Sequence, residues 1–305
     1  MVKRPIAIVV GLTAVLVGLA LAGGFWLSAP NPVAVASLPT HVADLQNGKT
    51  LYTVGGCVSC HRPSPAAIKA GANGELPSGG APLNTPLGPV FPPNITPDKA
   101  TGIGGWTQAA FVSAMQRGVS PNGGHYIPAF PYTSYARMKT EDVLDIFAYI
   151  NSLAPVNSPR HDNAIVLEPV IRRGIGLWKL IAMPAPFAPD SAQSAEWNRG
   201  AYLVNGPGHC GECHTPRNAL MIGQSAKSLE GGPHPDGKGT VPSLHRLIER
   251  KVFTDVDDLT TALQEGEGGG YEHMSSGGMG DAQTNLSHLP EADVKAIATY
   301  LSTLR

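Results

Sequence analysis

The chain has 305 residues and a formal net charge of −1, a balance that excludes the strongly basic surface of a nucleic-acid-binding protein. At roughly 100–200 residues per domain, this length fits about two domains. Glycine (36) and proline (28) are abundant and only 15% of residues are charged, while 42% are hydrophobic; this excludes a disordered chain and points to long loops joining short helices.

Lys3 and Arg4 precede an uncharged, largely apolar run from Pro5 to Ala29. That run exceeds the roughly 7–15 residues of a secretory h-region and reaches the roughly 20 residues of a membrane span. An uncleaved signal anchor over residues 1–30 is the expectation, with Ala34-Val35-Ala36 as the alternative, an A-x-A cleavage site. Positive charges before the run stay in the cytoplasm, so the rest of the chain faces outward.

Beyond this run the same order of parts occurs twice: a short helix, a CxxCH segment, a Gly/Pro-rich stretch, a middle helix, a loop and a closing amphipathic helix. In the first half the opening helix is expected near Val42–Thr53, with Gly48 and Tyr52 one turn apart on one face. Its closing helix is expected near Thr140–Leu153, where Val143, Ile146, Phe147, Ile150 and Leu153 recur at helical spacing. In the second half Trp197, Gly200 and Val204 mark the opening helix, and Val294, Ile297, Ala298 and Leu301 mark a closing helix near Glu291–Leu304. A glycine facing an aromatic lets the first and last helices of each half cross closely. Between the halves, Ala154–Ala192 is proline-rich, with one apolar helical stretch near Val170–Met183. Arg172, Arg173 and Lys179 interrupt it too often for a membrane span. Packing between the halves is expected of it, in preference to a membrane-surface role, which calls for a cleaner polar face.

All four cysteines lie in Cys57-Val58-Ser59-Cys60-His61 and Cys210-Gly211-Glu212-Cys213-His214. Two thiols at this spacing add across the two vinyl groups of a haem, and the next residue presents an imidazole to the iron from the same side. A structural zinc site also uses paired cysteines but has no need of a histidine directly after each pair. Two covalently bound haem c groups are therefore expected, on Cys57 and Cys60 with His61, and on Cys210 and Cys213 with His214. Thioether-linked haem also agrees with export.

A methionine as sixth ligand raises a haem's reduction potential and suits it to electron transfer. In the second half Met279, in the glycine-flanked loop Gly277-Gly278-Met279-Gly280, is the first choice and Met274 its competitor. The corresponding first-half loop, His125-Tyr126-Ile127-Pro128-Ala129-Phe130-Pro131-Tyr132, holds no methionine. Met138 and His125 are both candidates there, with an open or otherwise ligated iron as a further alternative; Met115 reads as core of the middle helix.

The longer strings add a resemblance. Asn94-Ile95-Thr96-Pro97-Asp98, Thr101-Gly102-Ile103-Gly104-Gly105-Trp106 and Pro128-Ala129-Phe130-Pro131-Tyr132, with Trp197-Asn198-Arg199-Gly200-Ala201-Tyr202-Leu203, Gly208-His209-Cys210 and His214-Thr215-Pro216-Arg217-Asn218, resemble the class I cytochrome c modules of membrane-bound cytochrome subunits. Those subunits serve periplasmic alcohol, gluconate and aldehyde dehydrogenases. The resemblance implies a mainly α fold of two tandem class I cytochrome c domains, here following the N-terminal transmembrane helix expected from the apolar run. The domains would cover residues 40–154 and 193–305, with a linker at 155–192. It places the second-half ligand on Met279. The chain departs from those subunits in having two CxxCH segments where three are common, in an N-terminal anchor, and in Phe130 standing where many members carry the ligand methionine.

The function implied is electron transfer at the inner membrane, from a periplasmic dehydrogenase to a quinone, another cytochrome or an oxidase of the respiratory chain, with no substrate chemistry and no nucleic acid. The alternative is a dihaem oxidoreductase acting at the first haem. A thiosulfate-oxidising type needs a cysteine ligand, and every cysteine is already committed. Arg217 is either a propionate partner or an exposed loop residue.

Overall fold

The computed structural model describes residues 3–163, 165, 167–235, 239–267 and 278–305. In chain order the helices are α1 (Lys3–Leu27), α2 (Leu45–Val54), α3 (Cys57–His61), α4 (Pro65–Lys69), α5 (Gln108–Arg117), α6 (Tyr132–Tyr135), α7 (Thr140–Asn151), α8 (Glu168–Ala182), α9 (Ala195–Asn205), α10 (Gly211–His214), α11 (Val256–Glu265), α12 (Gly278–Ser287) and α13 (Glu291–Ser302). Two antiparallel hairpins accompany them, β1 (Leu83–Thr85) with β2 (Gly88–Val90) and β3 (Gly232–Pro233) with β4 (Thr240–Val241). The fold is mainly helical.

Two helix crossings organise the chain, α2 on α7 and α9 on α13. Asp44 starts α2 by accepting the Gln46 and Asn47 amides at 2.9 and 3.0 Å, and Ser194 starts α9 by accepting the Trp197 amide at 3.0 Å. The apolar faces then meet: Leu51 and Val54 with Val143, Ile146 and Ile150, and Leu203 and Val204 with Val294, Ile297 and Leu301, all buried. At each crossing the backbones touch through a glycine. A Cβ on Gly48 would overlap the carbonyl of Asp145, and a Cβ on Gly200 would overlap that of Ala296. The neighbouring turn carries an edge-to-face aromatic pair in both cases, Tyr52–Tyr149 at 5.1 Å and Trp197–Tyr300 at 5.0 Å between centroids.

The loops after the two CxxCH segments repeat in detail. The Gly79 amide donates to His61 O at 2.8 Å, and the Gly231 amide to His214 O at 2.7 Å. Ile95 N bonds to Pro77 O and Leu244 N to Leu229 O, each at 2.9 Å. The buried apolar residues of both halves merge into one cluster, in which Met138, Tyr135 and Val54 share a core with Tyr202 and Leu203. Tyr202 also crosses between halves by polar contacts: its hydroxyl bonds to Asp142 and accepts the Lys139 amide at 3.1 Å.

Helix α8 turns its inner face to the first half, where Ile171, Ile175 and Trp178 meet Ile127 and Ile165. Trp178 donates from Nε1 to Leu220 O of the second half at 2.8 Å. It touches both halves as expected of a linker, yet Val170, Leu180 and Ile181 on its outer face stay exposed.

Among the described residues no helix is long and apolar enough to cross a membrane, so the expected transmembrane helix is not found. In its place stands α1, a 25-residue helix on which Leu16, Leu19, Phe25 and Trp26 are exposed.

Two predictions follow from these crossings. Gly48→Ala or Gly200→Ala should cost about 3 kcal/mol, the upper range for overpacking against backbone, while Gly105→Ala, which meets nothing within 4 Å, should be near neutral; denaturant unfolding of the purified holoprotein measures the difference. The second concerns Asp145, whose buried carboxylate accepts from Asp44 N at 2.8 Å and Asn47 Nδ2 at 2.8 Å and bonds His41 Nε2 at 2.6 Å. Burial alone would raise its pKa, but the bonds from Asn47, His41 and Asp44 outweigh burial and hold it below its ordinary 3.8. A depressed carboxylate gives its full stabilisation above the unfolded value and loses it as pH falls through the folded one. The stability gap between the unsubstituted protein and Asp145→Asn should therefore be constant near neutrality and shrink below pH 3.8, as followed by acid titration of the unfolding midpoint.

Candidate haem-attachment sites

Each CxxCH segment is a single helical turn entered through a tight bend. Gly56 precedes α3 with φ of 57°, the left-handed region that glycine adopts without a Cβ penalty. His209 precedes Cys210 with φ of 40°, a strained position for a non-glycine residue. None of the four cysteines is in a disulfide; Cys57 and Cys210 are half-buried and Cys60 and Cys213 exposed. Burial pushes the thiols of Cys57 and of Cys210 up to about 12.

The two histidines share one arrangement. His61 Nδ1 bonds Pro93 O at 2.7 Å and His214 Nδ1 bonds Pro242 O at 2.8 Å. A carbonyl oxygen only accepts, so Nδ1 carries the proton in both rings and Nε2 is left with its lone pair. Burial lowers both pKa values, more than the carbonyl bonds raise them, which favours the neutral ring that a metal requires. A ligating histidine commonly has its other nitrogen held this way. The donor set therefore fits a haem at each segment: two thiols, then an imidazole with Nε2 free. Tyr52 and Tyr132 add buried hydroxyls without a hydrogen-bond partner among the described residues, of the kind that calls for a further group.

The sixth-ligand candidates separate. Met138 is 2% exposed, within the shared core, and a Cβ on Gly206 of the second half would meet its Cγ at 3.5 Å. His125 is excluded by its partners. Its Nε2 donates to Ser28 O at 2.9 Å and its Nδ1 accepts from Lys179 Nζ at 3.0 Å, so neither nitrogen is free for iron. The same ammonium donates to Arg117 O and Gly118 O, both at 2.6 Å, and lies 4.6 Å from the Tyr132 ring centroid. His125 is thus a pin under α8. Phe130 packs edge-on against Tyr126, Tyr132 and Tyr135 and offers no donor.

Met279, expected in a loop, is instead half-buried in the first turn of α12; Met274 lies outside the described residues. Helix α12 rests on α11 through Gln283 Nε2 to Gln264 O at 3.0 Å and also reaches the first attachment segment. Asn285 Nδ2 donates to Ser59 Oγ at 3.0 Å, and Arg62 Nη2 to Asp281 Oδ1 at 3.1 Å. Arg217 is neither exposed nor free. Its guanidinium pairs with the Glu212 carboxylate and donates to Glu212 O and Met221 O, each at 2.9 Å.

Sequence reasoning missed how closely the two segments adjoin. His209 Nε2 donates to Gly55 O at 3.1 Å, and the Tyr135 ring lies 5.9 Å from that of His209. Glu212 Oε1 accepts from Thr133 Oγ1 at 3.0 Å and Ser134 Oγ at 2.7 Å. Burial would raise Glu212, but the Arg217 charge, with the bonds from Ser134 and Arg217, holds it below the usual carboxylate value. The signal available in the sequence was a charged residue, Glu212, inside a CxxCH segment.

The family model for cytochrome c matches residues 45–154. The chain is 39% identical over 295 residues to a diheme cytochrome c-type protein of Cereibacter sphaeroides, covering 95% of both chains. It is 33% identical over 297 residues to the fructose dehydrogenase cytochrome subunit of Gluconobacter japonicus, covering 96% of this chain and 58% of that one. With the gluconate 2-dehydrogenase cytochrome c subunit of Pantoea cypripedii the identity is 34% over 285 residues, 89% of this chain and 62% of that one. The chain thus spans about three fifths of those two dehydrogenase subunits.

Proposed function

Because the chain belongs to the cytochrome c family as a dihaem member, we propose that it is the electron-transfer subunit of a periplasmic dehydrogenase, delivering electrons to a quinone, another cytochrome or an oxidase. Its cofactor is haem c, two groups covalently bound. The observation that carries the reading is the duplicated CxxCH turn with each histidine held through Nδ1 and open at Nε2. Cys57 and Cys60, and Cys210 and Cys213, would hold the two haems by thioether bonds, and His61 with Met138, and His214 with Met279, would ligate their irons. A haem bound in this way supplies reversible one-electron exchange. The chain's part is to fix each imidazole tautomer, exclude water around the ring and hold both segments in one body.

Two tandem cytochrome c domains, at 40–154 and 193–305 with a linker at 155–192, account for the repeated crossings and loop hydrogen bonds. Membrane attachment through α1 draws on the exposed apolar side chains of that helix. The dehydrogenase partner is supported by the names of the relatives. The competing reading, substrate chemistry at an open first iron, rests on Phe130 standing where many members of the resembled family carry the ligand methionine.

Two measurements test these assignments. The denatured protein should keep two haems by mass, and Cys57→Ala with Cys60→Ala should keep one; a chain that keeps none ends the proposal. The reduced protein should not bind carbon monoxide, whereas Met138→Ala and Met279→Ala should each admit it at one haem. Binding to the unsubstituted protein in stoichiometry with one haem would favour the open-iron reading.

A further inference from the structure

Ser59 and Glu212 hold the same place in the two segments, the second residue between the cysteines. Each bonds across to the other half, and to an equivalent element there. Ser59 Oγ accepts from Asn285 on α12, the helix before the closing α13. Glu212 Oε1 accepts from Thr133 and Ser134 on α6, the helix before the closing α7. The exchange is reciprocal, and each arm ends close to a methionine assigned to iron, Met279 within α12 and Met138 three residues after α6.

We infer that these two cross-bonds form a clasp that sets the separation and orientation of the two attachment segments, making Ser59, Asn285, Glu212, Thr133 and Ser134 positioning residues for electron exchange within the chain. The inference rests on the dihaem reading above. Several features make the clasp directional. Apolar contact between Val54 and the turn at Gly208 tolerates sliding, but hydrogen bonds to a half-buried carboxylate do not: Glu212 has hydroxyls on Oε1 and the Arg217 guanidinium on Oε2, so both of its oxygens are held. The arms are also sterically fixed. Gly56 lies so close to Asn285 that a Cβ there would stand 2.9 Å from Nδ2, and Arg62 with Asp281 braces the same helix one turn away. None of the five side chains attaches haem, and none lies in the α2–α7 or α9–α13 crossing. Removing them should leave each half folded and loosen only their mutual placement.

The test compares the holoprotein with two double variants, Ser59→Ala with Asn285→Ala and Thr133→Val with Ser134→Ala, and with the conservative Ser59→Thr and Glu212→Gln, which keep an acceptor oxygen. Haem content by mass and visible spectra establish that both haems are in place. Electron equilibration between the haems, after rapid injection of one electron, should slow several-fold in both double variants. The gap between the two reduction steps in a spectroelectrochemical titration should change with it, while Ser59→Thr retains the original rate. Rates and gaps equal to those of the unsubstituted protein in both double variants overturn the clasp, with the dihaem reading intact. Fewer than two haems in the unsubstituted protein instead overturns the reading on which the clasp rests.

Discussion

An imidazole that gives its Nδ1 proton to a backbone carbonyl has a single basic nitrogen left and a single direction in which to present it. His61 and His214 are both held in this way, and the rest of the architecture can be read as the means of holding Pro93 and Pro242 where those carbonyls must be. The glycine- and proline-rich loops that follow each segment wrap back so that Gly79 and Gly231 bind the histidine carbonyls. Each ring is thereby fixed from both ends of its residue, by its own carbonyl and by its Nδ1. Proline suits the position: it has no amide to satisfy, and its fixed φ stiffens the chain that carries the acceptor.

That constraint needs a scaffold that does not drift, and the two glycine crossings supply it. With Gly48 and Gly200 the helix backbones approach to contact, so the apolar faces of α2 and α7, and of α9 and α13, have no room to slide. The carboxylate of Asp145 locks the start of α2 to the same register. The shared core then joins the halves. An arrangement with two separate cores would have left Met138 and Tyr202 as surface residues; both are instead nearly inaccessible.

Much of this was legible in the sequence because it depends on local pattern. The 3.6-residue apolar spacing located all four crossing helices within a few residues, and the CxxCH repeat marked both attachment turns. What was not legible depends on long-range partners. His125 reads as a loop histidine, yet its ring is taken by Ser28 and Lys179, 97 and 54 residues away. The glycines around Met279 favour a loop by propensity, but contacts from Asp281, Gln283 and Asn285, the last spanning 226 residues, draw that stretch into a helix, since tertiary context overrides a weak local preference. Arg217 looked available to an anion because its partner, Glu212, sits inside the CxxCH segment, where a half-buried carboxylate was not anticipated.

The position of the thiols bears on how such a fold is reached. In the closed structure burial raises Cys57 and Cys210 from 9.0 to about 12, and since the thiolate is the reactive form, closure disfavours it. The open chain is accordingly the more reactive partner for thioether formation, and the closed fold shelters bonds already made. The clasp involves the same two segments. Ser59 and Glu212 lie between the cysteines of their own segments, and each finds its partner only when the other half is in place. The residues between the cysteines of each segment are thus the ones that bond that segment to the other half.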